Sequence, residues 1–395
     1  MSSSHNADAS TSGAEQNAER TGSSEANAAS DIQQNVVAAA GGQGAPHSSA
    51  EAGPSTQSAY YPPSLSDFTG PVADSHNSSS NSDTDSAVGD FVSTRSQSLS
   101  ESVFDFRNEH GRRYHAYRDG VEYQLPNDEQ ELDRLDLQHH LFYLTLRGKL
   151  QQSPLDELPY GVQNVLDIGT GTGIWAIDFA DRYPTAKVIG TDLSPVQPVY
   201  VPPNCHFYVD DATADWNFDA PFDFIHGRML VVAIKDWSAL FRQCFDNLTP
   251  GGWVEFQDLN FPFRCDDGSA GPDSAALQWS YKFVEGAAKL GIDMTAPNKF
   301  AQQLAEVGFV DVQVERYVWP INRWPKDEHE KEKGLWMLQN MQEGLQGFSM
   351  GIFTKGLGWR AEEVEVFLAE VRRAFNNRKS HVYLPIWIVY ARKPS

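Results

Sequence analysis

The sequence predicts an α/β fold: a doubly wound, mainly parallel seven-stranded sheet, with a helical extension before it and a helical cap insertion before its last strand. Three observations carry this. From residue 163 onward, short apolar runs alternate with stretches of helical periodicity, which means right-handed crossovers and helices on both faces of the sheet. The first run, NVLDIG, leads into three alternating glycines, Gly169, Gly171 and Gly173, that open a helix. The second run, AKVIGTD, ends in an acid, Asp192, on the same side of the sheet.

Taken in chain order, residues 1–103 hold 25 serines, 12 acids and 2 bases, with few large apolar side chains. Such a segment cannot bury enough apolar area to offset its chain entropy, so it is expected to be a disordered, Ser-rich acidic arm. Residues 104–160 read as a helical N-terminal extension. Within it, PNDEQELDRLDLQHHLFYLTLRGKL begins with Pro126 and a capping Asn127 or Asp128, and its leucines recur at roughly helical spacing. That pattern predicts one long helix over about 128–150, closed off by Pro154 and Pro159.

The main domain is expected over 161–395. NVLDIG, AKVIGTD, CHFYVD, FDFIHG and GWVEFQ read as strands one to five, with IWAIDFADRY and WSALFRQCFDNL as helices among them. DSAALQWSYKFVEGAAKLG and KFAQQLAEVG are further helices; FVDVQVERYVW and HVYLPIWIVYAR are strands six and seven. Between these last two, EHEKEKGLWMLQNMQEGL and AEEVEVFLAEVRRAFNN form a helical insertion over about 326–379, expected to cap the active site.

Composition excludes several classes. The formal charge is −22, from 53 acidic and 31 basic residues, and the acidic arm accounts for only −10 of it. A net-acidic folded part without a basic stripe argues against direct nucleic-acid binding, which depends on neutralising phosphates. Cys205, Cys244 and Cys265 are an odd set without CxxC spacing, neither a disulfide framework nor a zinc site, so no metal is expected. No signal-peptide pattern and no 18-residue apolar run occurs, so the expectation is a soluble intracellular protein that does not enter a membrane.

The glycines say what the first loop does. A dinucleotide fingerprint needs a glycine at 174, where this chain has isoleucine, and a phosphate-binding P-loop needs a Gly-Lys-Ser/Thr that is missing. The spacing is GxGxG instead. An acid at the end of strand two can accept both hydroxyls of a ribose at a doubly wound switch point, the role expected of Asp192. The loop therefore faces a nucleoside whose remaining part is small and polar. YVDDATADW supplies a third element after strand three, where Asp211, with Asp210 as competitor, can accept an adenine amine.

With the preceding acid Asp167, this set resembles class I S-adenosylmethionine-dependent methyltransferases, a Rossmann-like fold. The resemblance narrows further. VFDFRNEHGRRYHAYRDGVEYQLPNDEQELDRLDLQHHLFYLTLRGKL, VLDIGTGTGIWAIDFADRYPTAKVIGTDLSPVQP, FDFIHGRML and LTPGGWVEFQD are similar to segments of fungal LaeA-like proteins, over roughly 103–395. The resemblance implies S-adenosylmethionine as cofactor, with Asp167, Gly169, Gly171, Gly173, Asp192 and Asp211 as its binding residues. It also implies a role in secondary metabolism, either as a nuclear regulator acting with velvet-domain proteins or as a pathway enzyme methylating one small-molecule intermediate. The expected location is the nucleus, with the cytoplasm as the alternative, and the acceptor is a small molecule or a protein.

Methyl transfer from a sulfonium is an in-line displacement in which positioning supplies much of the catalysis, though a hydroxyl or amine acceptor can need a base. His226 and Glu255, at the ends of strands four and five, are the candidate bases, with Asp258 beside them; Arg228 is placed to hold an anionic group. On the predicted N-terminal helix His139 and His140 lie about a hundred degrees apart, so at most one points inward. FIHG after strand four, where an Asn/Asp-Pro-Pro-Tyr box is absent, argues against transfer to planar adenine or glutamine nitrogens. The dense aromatics of the C-terminal part, Trp319, Trp324, Trp336, Phe348, Phe353 and Trp359, either line an apolar acceptor pocket or form the core of the cap.

Overall fold

The computed structural model describes residues 106–115 and 123–395; the arm expected over 1–103 lies outside the described residues. The core is a seven-stranded sheet built from β3 (Asn164–Ile168), β4 (Lys187–Asp192), β5 (Cys205–Val209), β6 (Phe222–Arg228), β7 (Leu248–Leu259), β8 (Val310–Pro320) and β9 (Tyr383–Arg392). Its order is β5-β4-β3-β6-β7-β9-β8, with β3 to β7 all parallel and β9 antiparallel to both neighbours. The chain therefore winds outward from β3 in both directions. Between β3 and β6 the order reverses, and a crevice for ligands opens beyond the strand C-termini.

Each face of the sheet is covered for a reason visible in the sequence. α2 (Ile174–Arg182) puts Trp175, Ala176, Phe179 and Ala180 on one side, and they bury against Val165, Val188 and Phe224. On the other face α3 (Trp237–Asn247) and α5 (Pro297–Val307) bring Trp237, Phe241 and Phe300 together over Phe256 of β7. Each such ring contributes about 1.5–3 kcal/mol by burial, against about 0.5–2 kcal/mol for a cap at a helix end.

The N-terminal extension differs from the single long helix expected. It begins with a hairpin of β1 (Arg107–Glu109) and β2 (Arg112–Tyr114), turned by His110 and Gly111 at φ 51° and 77°. Two successive left-handed residues suit a two-residue hairpin, and His-Gly was the available signal. α1 (Glu129–Thr145) is capped by Asp128, whose carboxylate accepts the Glu131 N–H at 3.1 Å. It stops five residues short of the expected end because Arg147 and Gly148 take left-handed conformations at φ 53° and 83°.

α4 (Ala275–Lys289) follows β7, and the insertion between β8 and β9 is helical as expected: α6 (Glu328–Gly351), a wider π-helical turn at Ile352–Gly356, and α7 (Ala361–Phe375). The extension docks on α6 through glycines. A Cβ at Gly344, Gly347 or Gly351 would lie 2.6 Å from Arg134 Cδ, 3.0 Å from Arg112 Nη1 or 3.0 Å from Gln124 Oε1, respectively. Those glycines look like helix breakers in sequence; they are the places where a second backbone comes close.

Candidate active site

The loop after β3 is shaped before any ligand arrives. Gly173 sits at φ 82° at the N-cap of α2, where a Cβ would lie 2.4 Å from the ring of Phe207. At Gly169 the obstacle is Leu230, 2.5 Å from a Cβ. Gly171 is different: its surroundings are open apart from Leu135 at 3.4 Å, and what it needs is its φ of 58°. That conformation turns its N–H onto Asp192 Oδ2 at 2.9 Å, while Ser194 N–H donates to Oδ1 at 2.9 Å. A carboxylate has about four acceptor positions. The Leu193 N–H also donates to the group, and burial pushes the carboxyl up to about 6 against the pull of these backbone donors.

Asp192 and Gly171 line one end of a cavity of about 480 Å³ that runs along the C-terminal edge of the sheet. This is an ordinary size for a small-molecule site. At the β5 end both Asp210 and Asp211 line it. Asp211 Oδ1 accepts from the Thr213 N–H at 2.8 Å and hydroxyl at 2.7 Å, which fixes the turn. At the middle, β6 is followed by Met229, a non-glycine residue at φ 60°; its N–H donates to Gln257 O at 3.0 Å. Beyond it the wall is formed by β7, α4 and α6.

Asp167 is not in that wall. Its Oδ2 accepts the Thr170 hydroxyl at 2.5 Å and its Oδ1 meets His226 Nδ1 at 2.7 Å. A carboxylate facing Nδ1 fixes the proton there, leaving Nε2 as an acceptor; that atom has no partner among the described residues. The imidazole is fully buried and lies flat on Trp175, 3.7 Å between centroids and 6° between planes. Both residues line a smaller cavity of about 50 Å³ that shares Gly169, Gly171 and Arg228 with the larger one.

Arg228 lines both cavities. Its Nη2 donates to His139 Nδ1 at 3.0 Å, and its guanidinium lies 4.9 Å over the Phe142 ring. Arginine only donates, so His139 carries its proton on Nε2 and gives it to Asp178 at 2.9 Å. His139 is thus held neutral, in line with burial lowering its pKa, and the inward-facing member of the histidine pair is identified. Half-buried His140 instead meets Trp336 at 4.4 Å. Burial lowers Arg228 to about 10, and no carboxylate among the described residues comes within ion-pair distance of it. The site holds a cation stabilised from a distance by Asp167, Asp178 and Asp136 but in direct contact with none of them.

Glu255 departs from the role expected for it. It is fully buried and outside the cavity wall. Its oxygens accept from the Gln152 N–H, the Ser153 N–H and hydroxyl, and Gln257 Nε2, at 2.7–3.1 Å. With its lone pairs occupied it ties the linker after α1 to β7 and is not a base. Asp258 is likewise structural: its oxygens accept the N–H groups of Leu230 and Leu259, each at 2.9 Å, which fixes the turn after β6. Of the aromatics, Trp319 and Phe348 line the cavity, whereas Phe353 and Trp359 pack with Phe367 inside the cap.

A family profile for the methyltransferase domain matches residues 109–314. Methyltransferase pytC of Aspergillus terreus is 41% identical over 298 residues, covering 75% of this chain and 91% of its own length. The secondary metabolism regulator LAE1 of Cochliobolus heterostrophus is 37% identical over 290 residues, 72% of this chain and 94% of its own. The regulator laeA of Aspergillus flavus is 36% identical over 303 residues, 73% and 78% respectively.

The chain belongs to the LaeA-like methyltransferase family. Its cofactor is S-adenosylmethionine, and the site fits such a group: a loop with glycine at every other position, a ribose-ready carboxylate, and a half-buried guanidinium for a carboxylate. In this methyltransferase the Asp178–His139–Arg228 chain escaped sequence reading because its members lie 39 and 89 residues apart. The buried network of Arg134 with Glu131, Gln138 and Asn340 was equally out of reach, spanning α1 and α6.

Proposed function

We propose that this methyltransferase regulates secondary metabolism in a fungal nucleus, in company with velvet-domain proteins. The observation that supports the reading is that two relatives named as secondary metabolism regulators, LAE1 and laeA, match 72–73% of this chain at 36–37% identity. In this reading Asp192 accepts the ribose hydroxyls and Asp211 the adenine amine. Gly169, Gly171 and Gly173 let the backbone come close. Arg228 takes the carboxylate of the methionine end, His226 Nε2 accepts from its ammonium, and Asp167 holds loop and imidazole in place. S-adenosylmethionine supplies a methyl group already activated on a sulfonium. The chain's own task is to exclude water and orient the acceptor, which is where most of the rate comes from when the donor is activated.

A second reading, a pathway enzyme that methylates one small-molecule intermediate, is favoured by the apolar inner wall of the cavity. The metabolite profile of a Gly171→Val strain separates the two. Broad changes across unrelated compounds, with altered transcripts, support the regulator. Loss of one methyl from one compound, with its desmethyl precursor accumulating, overturns it in favour of the pathway enzyme.

A further inference from the structure

The inner end of the cavity differs chemically from the donor end. It is lined by Phe261, Trp279, Phe283, Met294, Met337 and Met341, all almost completely buried. Both indole N–H groups of its wall are turned elsewhere, which leaves the Tyr123 hydroxyl as a polar atom of the cavity. The indole N–H of Trp279 donates to Ser349 Oγ and that of Trp319 to Thr145 Oγ, both at 2.8 Å. Arg134 is neutralised by Glu131 at 2.7 Å and also donates to Gln138 and Asn340, each at 2.7 Å. Asn340 turns one of its two amide N–H groups to the thioether of Met337 at 3.7 Å.

The rings do not form a cation cage either. Trp279 stacks on Phe283 and Phe283 on Phe261, each pair 5.2 Å between centroids, so ring faces are spent on one another. A lysine ammonium would lose its water here, a cost no aromatic edge offsets, and the carboxylate nearest in the wall, Glu131, is already paired with Arg134. Thioethers adapt to irregular apolar shapes.

Resting on the methyltransferase reading above, we propose that this inner chamber is the methyl-acceptor site and that it takes a neutral, predominantly apolar small molecule in preference to a protein side chain. A regulator built this way acts by methylating a metabolite: the S–CH3 bond breaks as the bond from methyl to the acceptor heteroatom forms, S-adenosylhomocysteine leaves, and the proton of a hydroxyl acceptor passes to bulk water.

The test is calorimetry on the full chain saturated with S-adenosylhomocysteine, titrated with 2-naphthol and, separately, with N-acetyl-lysine methylamide. The naphthol is expected to bind and the lysine amide not. Met341→Trp, which fills the chamber, should weaken naphthol by about tenfold or more, the scale of overpacking. Its S-adenosylhomocysteine affinity should stay within about twofold, because the donor end is a separate set of contacts. Met294→Trp repeats the test from another wall if the first variant does not fold. The proposal is overturned if the native chain binds the lysine amide and not naphthol, or if both filled variants bind naphthol unchanged. Failure of the native chain to bind S-adenosylhomocysteine would instead remove the methyltransferase reading and this proposal with it.

Discussion

The two ends of the cavity are built on opposite plans. The donor end is made of backbone and carboxylates: the Gly171 N–H on Asp192, the Ser194 N–H beside it, the fixed turn at Asp211. The acceptor end is made mainly of apolar side chains, and the indole N–H groups beside them are already bonded. A site that recognises by hydrogen bonds rejects a ligand lacking them by several powers of ten, whereas an apolar wall discriminates by about 1–3 kcal/mol per methylene. The donor end is therefore intolerant of change, and the acceptor end is adjustable by repacking. One scaffold can hold its cofactor fixed while its acceptor differs.

The largest expected break in that asymmetry comes from Gly171→Val. A β-branched residue at φ 58° carries about 1–3 kcal/mol of strain, and it shifts the N–H that orders Asp192 while projecting side chain into the loop's open space. Calorimetric binding of S-adenosylhomocysteine should become undetectable, while 2-naphthol binding at the other end persists. Cofactor affinity within a few-fold of native would mean that the loop does not face the ligand.

Asp192→Ala should act less severely. It leaves the backbone donors of Gly171, Leu193 and Ser194 and the ribose hydroxyls without their acceptor, a loss of roughly 1–3 kcal/mol in cofactor affinity. The same residue predicts a pH dependence. Its carboxylate is raised to about 6 by burial, so it is protonated below that value and ionised above it. Since the ligand needs the ionised form, affinity should be full above about pH 7 and fall by up to about tenfold per unit as pH drops below 6. Calorimetry from pH 5 to 8 on native protein and Asp192→Asn decides it. A flat native profile would exclude Asp192 as the titrating contact.

The contrast also explains what could be read from the sequence. The donor end comes from short contiguous stretches, 167–173, 192–194 and 210–213, in which glycine spacing and terminal acids have few other uses. The acceptor end draws on residues from 261 to 341, whose apolar side chains are indistinguishable in sequence from core. Trp319 and Phe353 look alike there, yet one lines the cavity and the other is packed inside the cap. Strand and helix positions followed from periodicity; the β1–β2 hairpin did not, because three-residue strands carry too little pattern.

Glu255 gives the finest test, because in sequence it shared candidacy with His226 and in space it belongs to neither end. Four donors converge on its oxygens, two backbone N–H groups, one hydroxyl and one amide, and none of them belongs to the cavity wall. Glu255→Gln replaces one acceptor oxygen with an NH2 that must face donors, so the fold should lose about 1–3 kcal/mol. At this chain length that lowers the thermal midpoint by several degrees. Binding of S-adenosylhomocysteine and of 2-naphthol should both stay within about twofold, since the change is distant from both sets of contacts. If the variant instead kept its midpoint and lost methyl transfer to its acceptor, Glu255 would have to reach the acceptor. The linker at Gln152–Ser153 would then have to be a movable gate and not the fixed tie its hydrogen bonds describe.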